Sequence, residues 1–353
     1  RAAVSLLASV LLTWLPVSGV QADLGPLPVP MSTPGFVVPP VPGLTDGADP
    51  IVVDKDKAIV LGKALFWDMN VGSDGMACAS CHFHAGSDIR TKNQLAPSGT
   101  KAASGKNRFD ATATGSGGPN YELTTSDFPF HERTSPLMPS NVTVDSDDVT
   151  GSAGTFGGEF QAVHWFGNDG IDECKRSLDP VFHVGSRSTR KVTSRNAPTV
   201  INAVFNHRNF WDGAANNVFN GSSQWGDRDP DAGVFVVQPD GSVIKQRLNL
   251  INSALASQAV APPMSDTEMR CKNRTFADLG RKLMWRKPLE HQEVHWTDSV
   301  LAPYANSSVN NLQKGLTPFY ASLVRQAFNE KYWSYNKRDA SLFGAPASHG
   351  NDE

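Results

Sequence analysis

The sequence predicts a mainly α-helical protein with long loop insertions and one small β-hairpin. Apolar residues recur at helical spacing near residues 54–68 and again over the last hundred residues. The 30 Gly and 24 Pro residues indicate many turns and long irregular connections. Two alternating runs, Val234–Gln238 and Ser242–Lys245, flank Pro239-Asp240-Gly241, a pattern typical of a hairpin.

Residues 1–22 have the features of a signal peptide. An apolar run, Ala2–Val20, ends at the small-x-small cleavage site Val20-Gln21-Ala22. We therefore expect export to the periplasm and cleavage near Ala22. The alternative is a membrane anchor, but Pro16 and Gly19 interrupt the run, so we expect no stable membrane insertion after cleavage.

The rest of the chain divides by composition. Residues 23–50 are Pro-rich and predict an extended lead-in. Residues 51–353 predict one folded domain with a Gly-, Ser- and Asp-rich surface insertion at about 91–160. Helices are expected at 54–68, 199–211, 248–259, 276–285 and 318–332. The net charge of -3 shows no basic excess, which argues against binding of nucleic acid.

Cys78-Ala-Ser-Cys81-His82 is a C-x-x-C-H motif. Its two thiols can attach a haem covalently, and the next residue can place an imidazole on the iron. A thioredoxin-type redox motif would need a βαβ context, and a zinc site would need further ligands such as a second C-x-x-C. The motif therefore predicts haem c, with His82 as the axial ligand. His84 lies two residues further on and is not expected to face the same iron.

Cys174 and Cys271 are the two remaining cysteines. Neither belongs to a haem motif, and an exported chain meets an oxidising compartment. We therefore predict a disulfide between them. The alternative is two separate buried thiols.

Three ordered motifs resemble the bacterial di-haem cytochrome c peroxidase and MauG family. The first is Leu61–Asp68 followed by C-x-x-C-H, and the second is Arg195–Asn206 followed by Phe210-Trp-Asp-Gly213. The third is Gln258-Ala259, Pro262 and Glu268-Met269. The resemblance implies a cytochrome c-like haem domain.

The resemblance also implies roles for four residues. Glu268 is expected to shuttle a proton, and Gln258 to orient bound peroxide. Trp211 is expected to lie between two haems, and Asn196 to bind a calcium ion. For the first pair, the chemistry agrees, because a carboxylate can take and return a proton, whereas an amide donates and accepts without titrating. The alternative for Glu268 is an ordinary charge near a helix N-terminus.

The chain departs from the family at several positions. Ala214 stands where the family has Arg, which puts one propionate or interface contact in doubt. Ser188 stands where characterised peroxidases have a switchable distal His, so the sixth iron position is expected to be open or held by water. His183 lies five residues earlier and could substitute, although a loop His is more often solvated. The sequence has no second C-x-x-C-H motif. It also lacks an initial Met and an evident closing element at its end. We therefore expect the second haem domain to be missing by truncation.

We therefore expect a periplasmic c-type haem peroxidase that reduces hydrogen peroxide to water. Its electrons would come from a small periplasmic cytochrome c or a cupredoxin. One alternative is a MauG-like haem oxidase that acts on a protein or an organic substrate. Another is a non-enzymatic mono-haem electron carrier or sensor.

Overall fold

The computed structural model describes residues 37–84, 86–97, 109, 117–135, 137, 141–163, 170–286, 288–290, 292–304 and 319–332. The chain divides into two units, Arg1–Val38 and Pro39–Glu353, and the elements below all lie in the second unit. The predicted signal peptide, most of the predicted lead-in, parts of the predicted insertion and the chain end from 333 lie outside the described residues.

Four α-helices occur in the described part of the chain: α1 (Lys55–Trp67), α2 (Ala254–Ala259), α3 (Phe276–Trp285) and α4 (Phe319–Ala327). Asp54 starts α1, because its side chain accepts a hydrogen bond from the backbone N–H of Lys57. Thr275 and Asp278 form a capping box at the start of α3. None of the helices in this part of the chain has the length and apolar character of a membrane span.

A single large apolar cluster lies between α1, α3 and α4. Leu61, Leu283 and Leu323 are buried in it, one from each helix. Cys78 and Cys81 are partly buried and pack against the same cluster. The helical core therefore supports the cysteine motif at its edge.

Ten short strands form five antiparallel pairs within the described residues. The pairs are β1 (Leu95–Ala96) with β4 (Val149–Thr150), β2 (His131–Arg133) with β3 (Val142–Asp145), β5 (Glu159–Ala162) with β6 (Glu173–Lys175), β7 (His183–Val184) with β8 (Arg187–Ser188), and β9 (Val234–Val237) with β10 (Val243–Gln246). The pair β9–β10 is the hairpin that the sequence predicts.

The predicted fold class is wrong, because the described chain is mostly loops, 3₁₀ turns and small hairpins rather than mainly α-helix. The predicted helix at 199–211 contains only the 3₁₀ turn Ala203–Phe205. Asn202 and Phe210 have φ angles of 64° and 63°, in the left-handed region that a right-handed helix cannot include. The predicted helix at 248–259 is likewise reduced to α2, with Asn252 at φ 56° just before it.

Candidate functional site

The cysteine motif begins with a 3₁₀ turn at Cys78–Ser80, and the backbone N–H of His82 donates to the carbonyl of Cys78 at 3.0 Å. The Nδ1 atom of His82 lies 2.7 Å from the carbonyl oxygen of Gly86 and 2.9 Å from that of Pro198. Because carbonyl oxygens can only accept, Nδ1 carries the proton in the neutral ring. The lone pair then lies on Nε2, as in a histidine that binds a metal through that atom.

Burial raises the pKa of both thiols of the motif to about 11. Both cysteines pack against the apolar cluster of the helical core. A covalently bound haem needs two thiols within one turn, a histidine with a free lone pair and apolar walls. The Cys78–His82 motif fits these three requirements.

Glu268 lies on the wall of a cavity of about 600 Å³, a volume in the range of ligand sites. Burial raises the pKa of its carboxyl, and a side-chain hydrogen bond from Ser265 and the nearby His82 partly oppose that rise. The charge of Glu268 also acts on Cys78 and Cys81. The fold therefore brings Glu268 within electrostatic reach of the whole motif, although about 190 residues separate them in sequence.

Trp211 lies on the wall of the same cavity, and 73% of its surface is exposed. The Arg195 guanidinium lies over its ring, 4.1 Å from the centroid, in a cation–π contact. The cavity wall thus contains both the half-buried Glu268 and an exposed aromatic ring. The remaining wall residues are Thr193, Ser194, Arg195, Phe210, Asp212, Ala214, Ser222, Ser223, Gln224, Trp225, Val260, Ala261, Met264, Ser265 and Thr267.

The sequence profile of the di-haem cytochrome c peroxidase family matches residues 168–341. Residues 168–341 belong to the di-haem cytochrome c peroxidase family. The family supports a haem-binding protein with a peroxidase or oxidase kind of function. No curated protein and no solved structure matches the chain significantly.

The region that belongs to the peroxidase family contains Trp211, Gln258 and Glu268, whereas Cys78–His82 precedes it. Gln258 is half-buried in α2 and is not part of the cavity wall. The structure therefore brings Glu268 and Trp211 to one cavity and leaves Gln258 outside its wall.

Asn196 and His183 both lie in the peroxidase-family region and take part in hydrogen bonds. The amide oxygen of Asn196 accepts from the Ser152 hydroxyl at 2.9 Å, and its NH₂ group donates to the carbonyl of Asp88 at 2.9 Å. The Nδ1 atom of His183 lies 3.0 Å from the carbonyl oxygen of Gly185, in the turn between β7 and β8. Among the described residues, no group of three or more His, Cys, Asp or Glu is arranged to hold a metal ion.

The predicted disulfide between Cys174 and Cys271 is confirmed. It joins β6 to the segment that follows Glu268. The backbone N–H of Cys271 also donates to the hydroxyl of the buried Ser73 at 2.9 Å. The peroxidase-family segment around Glu268 is therefore fixed by the disulfide and by a hydrogen bond that Cys271 donates to Ser73, which precedes the cysteine motif.

Sequence reasoning missed the residues that fix the backbone at Glu268. The N–H of Thr155 donates to the carbonyl of Thr267 at 3.0 Å, and the N–H of Ser73 donates to that of Met269 at 2.7 Å. A Cβ atom at Gly154 would lie 2.1 Å from the Thr267 carbonyl oxygen. No local pattern in the sequence identifies such contacts, because more than a hundred residues separate the partners.

Proposed function

We propose that this protein is a periplasmic c-type haem peroxidase that reduces hydrogen peroxide to water. The observation that supports this most strongly is the position of Glu268, whose half-buried side chain lies on a cavity wall and within electrostatic reach of His82. The membership of residues 168–341 in the di-haem cytochrome c peroxidase family supports the same class of reaction.

In this proposal, Cys78 and Cys81 would hold the haem covalently, and Nε2 of His82 would bind its iron. When bound, the haem would supply the electrons that cleave the O–O bond. The carboxyl of Glu268 takes a proton from one peroxide oxygen and returns it to the leaving oxygen. With two electrons and two further protons, one hydrogen peroxide gives two water molecules. Burial suits Glu268 to this role, because it raises the pKa toward the pH at which the carboxyl both accepts and releases a proton.

The electron donor in this proposal is a small periplasmic cytochrome c or a cupredoxin. Electrons would reach the site through Trp211, which is exposed on the cavity wall. A role for Gln258 in orienting peroxide and a calcium ion at Asn196 stay predictions from the resemblance.

A MauG-like oxidase is the second candidate, and one observation favours it. Trp211 is 73% exposed, so an aromatic side chain connected to the cavity is open to solvent. Such a residue can accept an electron from a protein or organic substrate that is too large for the cavity. This candidate predicts slow turnover with a small reduced cytochrome and faster turnover with a bulky aromatic reductant.

Substitution of Glu268 by Gln tests the proposed reaction. Glu268→Gln keeps the shape of the side chain but cannot exchange a proton, so we expect a loss of about two to four orders of magnitude in the rate of reaction with peroxide. The measurement is stopped-flow mixing of the haem-loaded protein with hydrogen peroxide. Haem content and thermal midpoint should be unchanged.

Glu293→Gln is the matched control, since Glu293 is exposed and lies outside the cavity wall. This variant should react at the parental rate. If Glu268→Gln also reacts at the parental rate, Glu268 has no part in the mechanism and the proposed function loses its main support.

A further inference from the structure

The backbone of Glu268 is held on two sides. On one side, Gly154 approaches so closely that an added Cβ would lie 2.8 Å from the Cα of Glu268. On the other side, Ser73 is hydrogen-bonded to Met269, the residue that follows Glu268. The direction in which the carboxyl points then depends on what holds the side chain itself.

Ser265 is folded back onto this backbone from three residues earlier. Its carbonyl oxygen accepts hydrogen bonds from the N–H groups of Glu268, Met269 and Arg270 at 3.3, 3.1 and 3.1 Å. Its hydroxyl oxygen accepts a further bond from the N–H of Glu268 at 3.3 Å. Ser265 and Glu268 both lie on the wall of the cavity.

A hydroxyl group has one proton and two lone pairs. Because the Ser265 oxygen uses a lone pair to accept from the N–H of Glu268, its proton remains available for the carboxyl of the same residue. The Ser265 side chain also lowers the pKa of the Glu268 carboxyl, against the effect of burial. One hydroxyl therefore contacts the backbone of Glu268 and acts on its carboxyl.

We propose that Ser265 is a positioning residue that holds the Glu268 carboxyl toward the cavity. This inference rests on the proposed function, in which Glu268 moves the proton. Ser265 acts through Glu268 and not on the substrate, so its effect on the rate must disappear when Glu268 can no longer exchange a proton.

The test is a double-mutant cycle on the haem-loaded protein, with the rate of reaction with hydrogen peroxide as the readout. Ser265→Ala removes the hydroxyl and is expected to slow the reaction about tenfold, the effect of losing one hydrogen bond to a charged group. Ser265→Thr keeps the hydroxyl and should react near the parental rate. The backbone of Ser265, at φ -93° and ψ 122°, suits a β-branched residue.

The double variant Ser265→Ala/Glu268→Gln should react as fast as Glu268→Gln alone. If Glu268→Gln is slow while Ser265→Ala reacts at the parental rate, the inference is overturned. It would also be overturned if the double variant were slower than Glu268→Gln by the full effect of Ser265→Ala, because Ser265 would then act independently.

Infrared spectroscopy of the resting protein gives a readout that needs no turnover. The carboxyl band of Glu268 is assigned by its loss in Glu268→Gln, and it should shift in Ser265→Ala but not in Ser265→Thr. If Glu268→Gln reacts at the parental rate while this shift is seen, the proposed function fails and the contact stands. If the band does not shift in Ser265→Ala, the inference fails whatever the activity.

Discussion

At the scale of single residues, the proton on His82 decides which ring nitrogen can bind a metal. Two carbonyl oxygens, of Gly86 and Pro198, lie within hydrogen-bonding distance of Nδ1. Donation from Nδ1 increases the basicity of Nε2 and fixes the ring orientation. The structure therefore supplies the carbonyl acceptors that orient a metal-binding histidine.

His183 is the histidine that the sequence suggests as a distal iron ligand, and we expect that His183→Ala leaves the electronic spectrum of the oxidised protein unchanged. Its ring is hydrogen-bonded to the carbonyl oxygen of Gly185 in the β7–β8 turn, and His183 is not part of the cavity wall. With Ser188 where a switchable histidine would stand, the ferric spectrum should be largely high-spin.

The measurement is the absorption spectrum of the haem-loaded protein before and after the substitution. His207→Ala, at an exposed position, serves as the control. A low-spin parental spectrum that becomes high-spin only in His183→Ala would show that His183 is the distal ligand.

Sequence predicts those site residues that belong to short motifs and misses those that act from a distance. A five-residue motif predicts the haem-attachment residues Cys78, Cys81 and His82, and the resemblance to the family predicts Glu268. Ser73 and Gly154 act through contacts with residues more than a hundred positions away in the sequence. Nothing in the local sequence distinguishes this glycine from the others in the chain.

At the scale of elements, α4 is joined to the chain segment after α1 by a buried polar contact. The hydroxyl of Tyr320 donates to the carboxyl of Asp68 at 2.6 Å, and the N–H of Leu289 donates to the same oxygen at 3.0 Å. Burial raises the pKa of Asp68, and the bond from Tyr320 opposes that rise. Because the folded-state pKa lies above the unfolded one, ionisation of Asp68 favours unfolding, and stability falls as the pH rises through the folded-state pKa.

Tyr320→Phe should therefore destabilise the protein, and more strongly at pH 7 than at pH 4. Removal of the hydroxyl raises the pKa of Asp68 further and leaves its ionised form less well satisfied, at a cost of roughly 1 to 3 kcal/mol at pH 7. Urea denaturation at the two pH values measures the free energy of unfolding.

Tyr121→Phe provides the matched control. The Tyr121 hydroxyl also donates a hydrogen bond to a carboxylate, that of Asp127 at 2.8 Å, but this pair is accessible to solvent. Its effect should be small at both pH values. If Tyr320→Phe lowers the free energy of unfolding equally at pH 7 and pH 4, the hydroxyl does not act through the ionised form of Asp68.

The close approach of Gly154 to the Glu268 segment gives a second prediction at this scale. Gly154→Ala should destabilise the protein by roughly 1 to 3 kcal/mol, because the added Cβ meets the Thr267 carbonyl oxygen at 2.1 Å and the backbone must move. Gly62→Ala, inside α1 with nothing within 4 Å, should instead stabilise it by roughly 0.5 to 1 kcal/mol. Thermal unfolding of both variants is the measurement. If both variants lose the same amount of stability, the steric explanation is wrong.

The mainly α prediction failed because apolar spacing alone does not show where the backbone leaves the right-handed region. The segment 199–211 has the apolar content of a helix, yet Asn202 and Phe210 are left-handed. Asn adopts this conformation readily, so Asn202 is a usable signal for a break, whereas Phe210 gives none. The β9–β10 hairpin was predictable because its turn residues and alternating strands are both local.

At the scale of the whole molecule, the Cys174–Cys271 disulfide links positions separated by 97 residues. The double variant Cys174→Ser/Cys271→Ala should lose roughly 2 to 5 kcal/mol of unfolding free energy, since a cross-link over so long a loop restricts the unfolded chain strongly. Denaturant titration under non-reducing conditions measures the difference.

Thiol counting checks the pairing independently. With both motif cysteines attached to haem, the denatured and unreduced protein should have no titratable thiol. Two titratable thiols would refute the disulfide.

The same bond makes residues 174–271 a closed covalent ring. The β9–β10 turn, with Pro239 and Asp240 exposed at its tip, lies on that ring, and so do Arg195, Trp211 and Glu268. A protease that cuts at the tip opens the ring without dividing the molecule, because both new ends stay attached through the sulfur bridge. The nicked protein would migrate as one species until the disulfide is reduced. The hairpin tip is therefore a place where the chain can be cut or labelled while the cavity residues stay covalently linked.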